Sequence, residues 1–380
     1  MAAPQRLVIC SLAVLLPSPS STTMTTLVTG GTGFLGRHLV QKLLDRGEDV
    51  RVLTRSFDLE LADMGAEVVE GSLSEAEDVR RAVDGIERIY HLAGKVERDR
   101  SRAHLMYDLH VEGTRRLLGS LVDRNIEKIV YASTSGTVGV GEGPDFLASE
   151  DSPTAETIVK NWPYYLSKIY AERVCEKFIG KHDMPIVMMR PTLLLGPGDR
   201  KQSSTGDVVL FLKRKIPAQM SGGMSFVDVR DTADAFIAAM DKAPAGESYL
   251  LGSQNLPIVD FLKRLEEITG IPRPKMPVPG KAAVMGARLL DRTMRAFGKK
   301  AEVDPVSVEM AQYYWYIDSS KAQEELDWQP RSPNETLRDT VRWIQKNHPE
   351  FAPKRKRRKP PEEFVPKETV EFAEKMANGE

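Results

Sequence analysis

The chain has 380 residues, of which 41% are hydrophobic, and its formal net charge at pH 7 is −1. This length is enough for two domains or for one large α/β domain with an added lobe. The balanced charge excludes an overall field that would favour nucleic acid or a membrane. Two cysteines, Cys10 and Cys175, indicate a reducing compartment, and the six histidines have no metal-ligand spacing, so no metal site is predicted.

Residues 1–24 are predicted to be a leader or a misassigned start. The apolar run from Leu7 to Leu16 follows Arg6 and is too short to span a bilayer, although it resembles the apolar part of a secretion signal. Met24 stands directly before the first predicted strand and is an alternative first residue. Two interpretations of residues 1–24 stay open, a dispensable leader and a true targeting segment.

From Thr25 to about Arg190, short apolar runs alternate with helical patterns. The predicted strands are Leu27–Thr29, Val50–Thr54, Glu67–Val69, Arg88–His91, Lys128–Ala132 and Ile186–Met189. The predicted helices between them include Leu35–Asp45, Ala103–Leu121 and Tyr164–Phe178. This alternation predicts an α/β fold, a Rossmann-type doubly wound parallel sheet whose ligand lies at the strand ends.

A glycine-rich turn, residues 29–36, joins the first strand to the first helix. Gly30, Gly33 and Gly36 let the backbone approach a pyrophosphate closely, and the N–H groups at the helix N-terminus face its negative charge. The sequence therefore predicts a dinucleotide-binding domain over residues 25–190.

Residues 191–350 are predicted to form a smaller, mainly helical substrate-binding lobe. The chain is expected to return to the dinucleotide-binding domain at about 225–252, with strands at Ser225–Val227 and Ser248–Leu251. Asp231 is the predicted N-cap of a helix over Ala233–Met240. Residues 351–380, with the basic run Lys354–Lys359, are predicted to be a solvated, disordered tail, and an anionic partner for this run stays open.

Two further segments suggest acid–base chemistry. Tyr164 and Lys168 are four residues apart and share one helix face, so the ammonium is expected to lower the pKa of the phenol towards neutrality. Such a phenol suits general acid catalysis of carbonyl reduction. Ser133, Thr134 and Ser135 follow the fifth strand, where hydroxyl groups can bind a substrate carbonyl and the phenol oxygen.

In this order the three segments resemble the extended (atypical) short-chain dehydrogenase/reductase family of the NAD-dependent epimerase/dehydratase superfamily. Ile89–Gly94, Val111–Thr114, Arg190–Thr192 and Phe226–Asp231 match further segments of the family. The resemblance covers about Thr25 to Lys346 and is strongest to members like dihydroflavonol reductase and 3β-hydroxysteroid dehydrogenase.

The resemblance implies roles for individual residues. Tyr164 would be the proton donor, and Lys168 would bind the nicotinamide ribose and tune Tyr164. Thr134 falls at the catalytic hydroxyl position, with Ser133 and Ser135 as close substitutes. The other implied cofactor contacts are Gly30, Thr32, Gly33, Phe34, Leu35, Gly36, Leu73, Leu92, Ala93, Gly94 and Pro191.

Two positions depart from the family pattern. His110 stands where an asparagine usually helps to hold a water and the helix geometry near the active site. It could replace that structural role, titrate or simply pack, and structural replacement is the favoured interpretation. Ser72 stands where an aspartate often lies near the adenine, which weakens one expected contact.

The second strand indicates which dinucleotide binds. It has no acidic residue at its end to bind a ribose 2′-OH, whereas Arg55 at that end and Arg37 after the third glycine suit a 2′-phosphate. The prediction is NADP, with NAD left open. A nicotinamide enzyme depends on a cytosolic cofactor pool, so a cytoplasmic location is expected.

The substrate is expected to be a hydrophobic small molecule. Nucleotide-sugar members of the family often have an asparagine where this chain has Leu193, and Arg190–Leu193 resembles the reductase group instead. The lobe's apolar side chains could line a large apolar site or belong to the core; they are Met276, Met285, Met294, Met310 and the run Tyr313–Tyr316.

The predicted function is therefore an NADP-dependent oxidoreductase acting on a carbonyl/alcohol pair. A nucleotide-sugar epimerase or dehydratase with tightly bound NAD and a non-catalytic dinucleotide-sensing protein are the alternatives. Homodimers are frequent in the family, so a second copy of the chain is a further expected partner.

Overall fold

The computed structural model describes residues 25–96, 102–299 and 304–351. The predicted leader and the basic run of the tail lie outside the described residues. Phe351, assigned to the tail from the sequence, ends a 3₁₀ turn over Pro349–Phe351, and its ring stacks on His348 with the centroids 5.4 Å apart.

The main sheet has seven strands in the order β3-β2-β1-β4-β5-β6-β9, and all of its pairings are parallel. The strands are Thr25–Thr29 (β1), Asp49–Thr54 (β2), Glu67–Glu70 (β3), Ile86–His91 (β4), Lys128–Ala132 (β5), Ile186–Pro191 (β6) and Ser248–Leu251 (β9). Val28 of β1 stands in register with Val52 of β2 and Tyr90 of β4, and all three are buried. The strand order reverses between β1 and β4, and a doubly wound sheet binds its ligand at this point.

Helices cover both faces of the sheet. The helices are Phe34–Asp45 (α1), Leu59–Asp63 (α2), Ala76–Ala82 (α3), His104–Tyr107 (α4), Thr114–Leu121 (α5), Glu156–Val159 (α6), Pro163–His182 (α7), Gly206–Leu212 (α8), Val229–Lys242 (α9), Ile258–Thr269 (α10), Gly280–Ala296 (α11), Pro305–Met310 (α12), Ser320–Glu325 (α13) and Pro333–Asn347 (α14). Leu39 of α1 and Phe236 of α9 belong to the core on one face, while Leu117 of α5 and Val174 of α7 belong to the core on the other. The predicted α/β fold class is confirmed.

A second, three-stranded sheet lies in the lobe. Its order is β10-β8-β7, with Leu193–Leu195 as β7, Gly223–Asp228 as β8 and Gln254–Pro257 as β10. The predicted strand Ser225–Val227 therefore exists but joins this sheet, so its assignment to the main sheet is wrong. β8 pairs in parallel with β7 and antiparallel with β10, partners that sequence periodicity does not specify.

The predicted start of the helix after β8 is also wrong. α9 begins at Val229, and the Asp228 side chain caps it by accepting a hydrogen bond from the N–H of Arg230 at 2.9 Å. Asp231 lies in the first helical turn and accepts hydrogen bonds from the Arg331 guanidinium at 2.9 and 2.7 Å. Because β8 passes into α9 without a loop, the last strand residue is the cap.

The predicted helix Ala103–Leu121 has a break in its middle. A π-helical turn over Asp108–Gly113 separates α4 from α5, and it carries the buried side chain of His110. π-Helical turns inside helices are frequent at functional sites. Within the residues described, every helix is too short or too polar to cross a lipid bilayer.

Candidate active site

The glycine-rich turn has the shape that a pyrophosphate requires. Gly30 has φ +78°, and a Cβ on it would lie 2.7 Å from the backbone N of Ala93. Gly33 is the N-cap of α1, which has no side-chain cap and no acidic residue in its first turn. Its first N–H groups are therefore left for an anion, and the turn fits a dinucleotide.

The structure brings the other predicted strand-end contacts to the same edge of the sheet. Leu92 follows β4 and donates its N–H to the Thr29 carbonyl at 3.0 Å, and Ala93 donates to the Thr29 hydroxyl at 3.3 Å. Gly94 comes next and faces His110, because a Cβ added to Gly94 would lie 3.4 Å from Nε2 of His110.

The other residues that are predicted to contact the cofactor lie on either side of this edge. Thr32 precedes α1, Phe34, Leu35 and Gly36 form the first turn of α1, and Pro191 ends β6. Leu73 is buried after β3, and an added Cβ on Gly113 would lie 3.4 Å from it.

The two arginines predicted to select NADP differ in their surroundings. Arg37 forms a salt bridge with Asp58 at 2.6 Å and a second with Glu60 at 3.1 Å. Arg55 is exposed directly after β2, and the described residues give it no ion pair. Arg55 is therefore free to bind an anion at the end of β2, whereas Arg37 already has two carboxylates beside it.

Of the three consecutive hydroxyls after β5, Thr134 is the one that faces Tyr164. The Thr134 hydroxyl lies close enough to the Tyr164 phenol to lower the pKa of the phenol, and the Thr134 side chain accepts weakly from the N–H of Gly136 at 3.4 Å. Ser133 instead donates to the buried carboxylate of Glu172. The geometry thus selects Thr134 over Ser133 as the hydroxyl that can share a substrate oxygen with Tyr164.

The expected lowering of the Tyr164 pKa is wrong for this arrangement. Burial raises the pKa of Tyr164 to about 12, and the nearby Thr134 hydroxyl opposes this rise only in part. Lys168 does not offset the burial, because its Nζ donates to the Ala132 carbonyl at 2.6 Å and lies 3.5 Å from the Tyr131 hydroxyl. Tyr164 therefore keeps its phenol proton at neutral pH.

Lys168 is a buried cation at the end of β5. Burial lowers the pKa of Lys168 to about 8, while the nearby Glu172 carboxylate raises it. Its ammonium also lies over the ring of Tyr131, 5.0 Å from the centroid. The side chain is therefore held between α7 and β5, with its charge dependent on pH near the physiological range.

The sequence reasoning missed Glu172, which organises the base of this site. Its carboxylate is 2% exposed and accepts hydrogen bonds from the Arg190 Nε and Nη2 at 3.0 Å each. It also accepts from the Thr137 hydroxyl at 3.1 Å and from Ser133. The sequence contains a signal for Glu172, because an acidic residue four positions after Lys168 lies on the same helix face as Tyr164.

His110 connects the segment after β4 to the helix that carries Tyr164. Its Nε2 accepts a hydrogen bond from the Lys95 N–H at 3.0 Å, so the proton resides on Nδ1, which donates to the Ser167 hydroxyl at 2.8 Å. Ser167 in turn donates to the Tyr164 carbonyl at 2.7 Å. Burial and the charge of Lys168 hold the pKa of His110 well below its usual value, so His110 is neutral. These contacts favour structural replacement over titration.

Aromatic rings extend from Tyr164 into the lobe. Tyr165 lies 5.1 Å from Tyr164 and 4.9 Å from Trp315, measured between ring centroids. Trp315 stacks on Trp162 at 5.7 Å, and Tyr313 meets Trp162 edge-on at 5.2 Å. Together these rings form one aromatic cluster, the aromatic wall, which begins at Tyr164 and packs around the buried Trp162.

The methionines predicted beside these rings are divided between interior and surface. Met310 packs on the aromatic cluster around Trp162, and Met294 is half-buried. Met276 and Met285 are exposed, so neither belongs to the core.

Comparison with known proteins places the chain in a family. The profile of the NAD-dependent epimerase/dehydratase family matches residues 26–252, and a Synechocystis sp. protein provisionally named dihydroflavonol 4-reductase is 32% identical over 329 residues. That match covers 84% of this chain and 94% of the relative. The chain belongs to the NAD-dependent epimerase/dehydratase family. It is an NAD(P)-dependent oxidoreductase, as the resemblance to reductase-like and 3β-hydroxysteroid-dehydrogenase-like members predicts.

Two further relatives extend the comparison. Sterol demethylase protein B of Methylococcus capsulatus is 32% identical over 329 residues, covering 84% of this chain and 98% of its own. The crystal structure of UDP-glucose 4-epimerase with UDP-glucose from Thermotoga maritima has a TM-score of 0.69 at 24% identity and covers 86% of this chain and 100% of its own. The latter similarity concerns the fold alone.

Proposed function

We propose that this family member is an NADP-dependent reductase of a ketone on a hydrophobic small molecule. The observation that carries the proposal is the placement of the Thr134 hydroxyl beside the Tyr164 phenol, next to a strand edge that fits a dinucleotide. A bound dihydronicotinamide would supply the hydride for the carbonyl carbon. The phenol of Tyr164 gives its proton to the substrate oxygen, which the hydroxyl of Thr134 holds in place.

The protonation state of Tyr164 supports the reductive direction. Reduction requires a group that donates a proton, and a phenol with a raised pKa is fully protonated at neutral pH. Oxidation of the alcohol would instead require Tyr164 to accept a proton as a phenolate, which its burial disfavours.

The apolar walls of the lobe support a hydrophobic substrate. The half-buried rings of Tyr165, Trp315 and Tyr313 continue from Tyr164 into the lobe, and partly accessible aromatic side chains bind apolar ligands. Leu193, whose side chain cannot bind a pyrophosphate, is half-buried in β7. The names of the relatives refer to a dihydroflavonol and to a sterol, both hydrophobic.

Arg55 supports NADP over NAD. Its guanidinium is exposed at the end of β2 without an ion pair among the described residues, and a 2′-phosphate can accept two parallel hydrogen bonds from it. We expect Arg55→Ala to weaken NADPH binding about 10- to 100-fold and to leave NADH binding unchanged. Arg80→Ala, at an exposed arginine of α3, is the control. Equal losses for NADPH and NADH would argue against a 2′-phosphate contact.

The first experiment identifies the nucleotide. Denatured protein is analysed for released nucleotide by mass spectrometry, and native protein is titrated with NADPH and NADH by fluorescence. Tighter binding of NADPH supports the proposal, whereas stoichiometric NAD that withstands dialysis would favour internal redox chemistry on a nucleotide sugar.

The second experiment tests Tyr164 with a panel of hydrophobic ketones, among them a dihydroflavonol and a sterol ketone, by NADPH consumption. Tyr164→Phe should keep NADPH binding and lose about 100-fold or more of the turnover, because only the proton donor is removed. Tyr170→Phe changes a half-buried tyrosine of the same helix and should be active. Normal turnover by the Tyr164 variant would refute the assignment.

A further inference from the structure

Helix α11 is an amphipathic helix that the lobe leaves open to solvent. None of the residues of Gly280–Ala296 is buried. The side chains of Met285, Leu289 and Phe297, which follows the helix, are 71%, 64% and 81% exposed. Large apolar side chains grouped in this way on a helix indicate an interaction surface.

The exposed surface of α11 is divided between apolar and basic side chains. At about 3.6 residues per turn, Met285, Leu289 and Leu290 lie on one part of the exposed surface, and Phe297 follows at the end of the helix. A basic row adjoins them along the helix: Lys281, Arg288, Arg292 and Arg295. The opposite, half-buried face includes Ala283 and Ala287, so the basic row and the apolar part are both available to a partner.

Half of the charge of the basic row is not neutralised within the described residues. Arg295 pairs with Asp291 at 2.8 Å, and Arg288 pairs with Glu309 at 3.2 Å. Lys281 and Arg292 have no ion pair among the described residues. The row therefore presents net positive charge next to exposed apolar side chains.

The same helix borders the opening of the apolar site. Lys281, Val284, Met285 and Arg288 of α11 line a surface cavity together with Tyr313. Tyr313 is the outer ring of the aromatic wall that ends at Tyr164. Tyr313 thus links this surface cavity, through contacts between rings, to the tyrosine that is proposed as the proton donor.

We propose that α11 is a membrane-docking helix that lies in the interface of a bilayer containing anionic lipids. Its apolar side chains would enter the boundary between headgroups and acyl chains, and its basic row would bind lipid phosphates. The docking stands on the surface of α11 alone. Transfer of a hydrophobic substrate from the bilayer into the cavity rests, in addition, on the proposed function.

The charges favour a lipid surface over a second copy of the chain. A two-fold contact through α11 would place a second basic row against the first, and like charges that face each other across an interface are unfavourable. Anionic headgroups supply the opposite charge along the whole row, and acyl chains cover the exposed apolar residues without a matching shape.

The test is cosedimentation of the full-length protein with lipid vesicles. Vesicles of phosphatidylcholine with phosphatidylglycerol should bind the protein, and vesicles of phosphatidylcholine alone should bind it much less. Met285→Ser/Leu289→Ser should weaken binding about tenfold or more, because two large side chains no longer enter the apolar layer. Lys281→Glu/Arg292→Glu should weaken it similarly on anionic vesicles, and raised salt should weaken the wild type.

The matched control is Leu59→Ser/Leu147→Ser, which removes two exposed leucines, 66% and 57% exposed, from other surfaces. It should bind vesicles as the wild type does. Circular dichroism and NADPH titration of each variant establish that it is folded.

Three results would overturn the proposal. The wild type could fail to bind anionic vesicles, or the α11 variants could bind like the wild type, which would assign binding to another segment such as Lys354–Lys359. The wild type could also be a dimer that these variants convert to monomers, without vesicle binding. Reduction of a water-soluble ketone is measured separately, so failure of docking is distinguished from failure of the reductase assignment.

Discussion

Replacing Glu172 by glutamine tests how the site is held together. The Glu172 carboxylate accepts hydrogen bonds from Nε and Nη2 of Arg190, at 3.0 Å each. The side chains of Glu172 and Arg190 are 2% and 7% exposed. Glutamine has nearly the same shape but no charge, so the guanidinium is left buried without an anion. Breaking a buried pair from one side costs about 3–5 kcal/mol, a large part of the usual stability of about 5–15 kcal/mol.

The assay is urea unfolding followed by tryptophan fluorescence. The matched control is Glu156→Gln, which also removes a carboxylate paired with an arginine, Arg173, but with side chains 34% and 46% exposed. A pair exposed in this way contributes about 0–1 kcal/mol. Equal loss of stability in the Glu172 and Glu156 variants would refute the argument that burial makes the first pair critical.

The same substitution has a second consequence, for Lys168. The Glu172 carboxylate raises the pKa of Lys168 against the effect of burial, so its removal lowers that pKa below about 8. The wild type is expected to lose NADPH affinity as the pH rises and Lys168 gives up its proton. In Glu172→Gln this loss should occur at a lower pH. An unchanged pH profile would show that Glu172 does not act on Lys168, whatever its effect on stability.

The other predictions concern His110, Lys168 and Gly30. His110→Ala leaves the Lys95 N–H without its acceptor and should lower the free energy of unfolding by about 1–3 kcal/mol, whereas His110→Asn keeps an acceptor and should lose less; equal losses in urea unfolding would contradict this. Since Lys168 is a cation below its pKa of about 8, NADPH affinity measured by fluorescence titration should fall as the pH rises through this value, and a flat profile would argue against a role in binding. Gly30→Ala should weaken NADPH binding about tenfold or more, because its Cβ would collide with the backbone of the segment after β4. Gly47→Ala is the control, with a similar φ of +77° but no atom within 4 Å of the added Cβ, and equal losses in the two variants would refute the steric argument.

Local sequence patterns are sufficient to predict the architecture of the dinucleotide-binding domain. Its strands, its glycine-rich turn and its family could all be predicted, because strand and helix periodicity and the glycines at 30, 33 and 36 are local properties of the chain. Tyr164 and Lys168 were identified in the same way, by their spacing on one helix. The roles of these residues stay predictions until the variants are measured.

The contacts between the side chains of the site, in contrast, become visible only in the folded chain. The partner of Lys168 is a carbonyl of β5, the partner of Glu172 is Arg190 on β6, and His110 joins the segment after β4 to α7. Each contact joins elements distant in sequence, and burial then fixes which groups carry charge. Periodicity cannot specify such contacts, because they depend on which strands and helices become neighbours, and the raised pKa of Tyr164 follows from that packing.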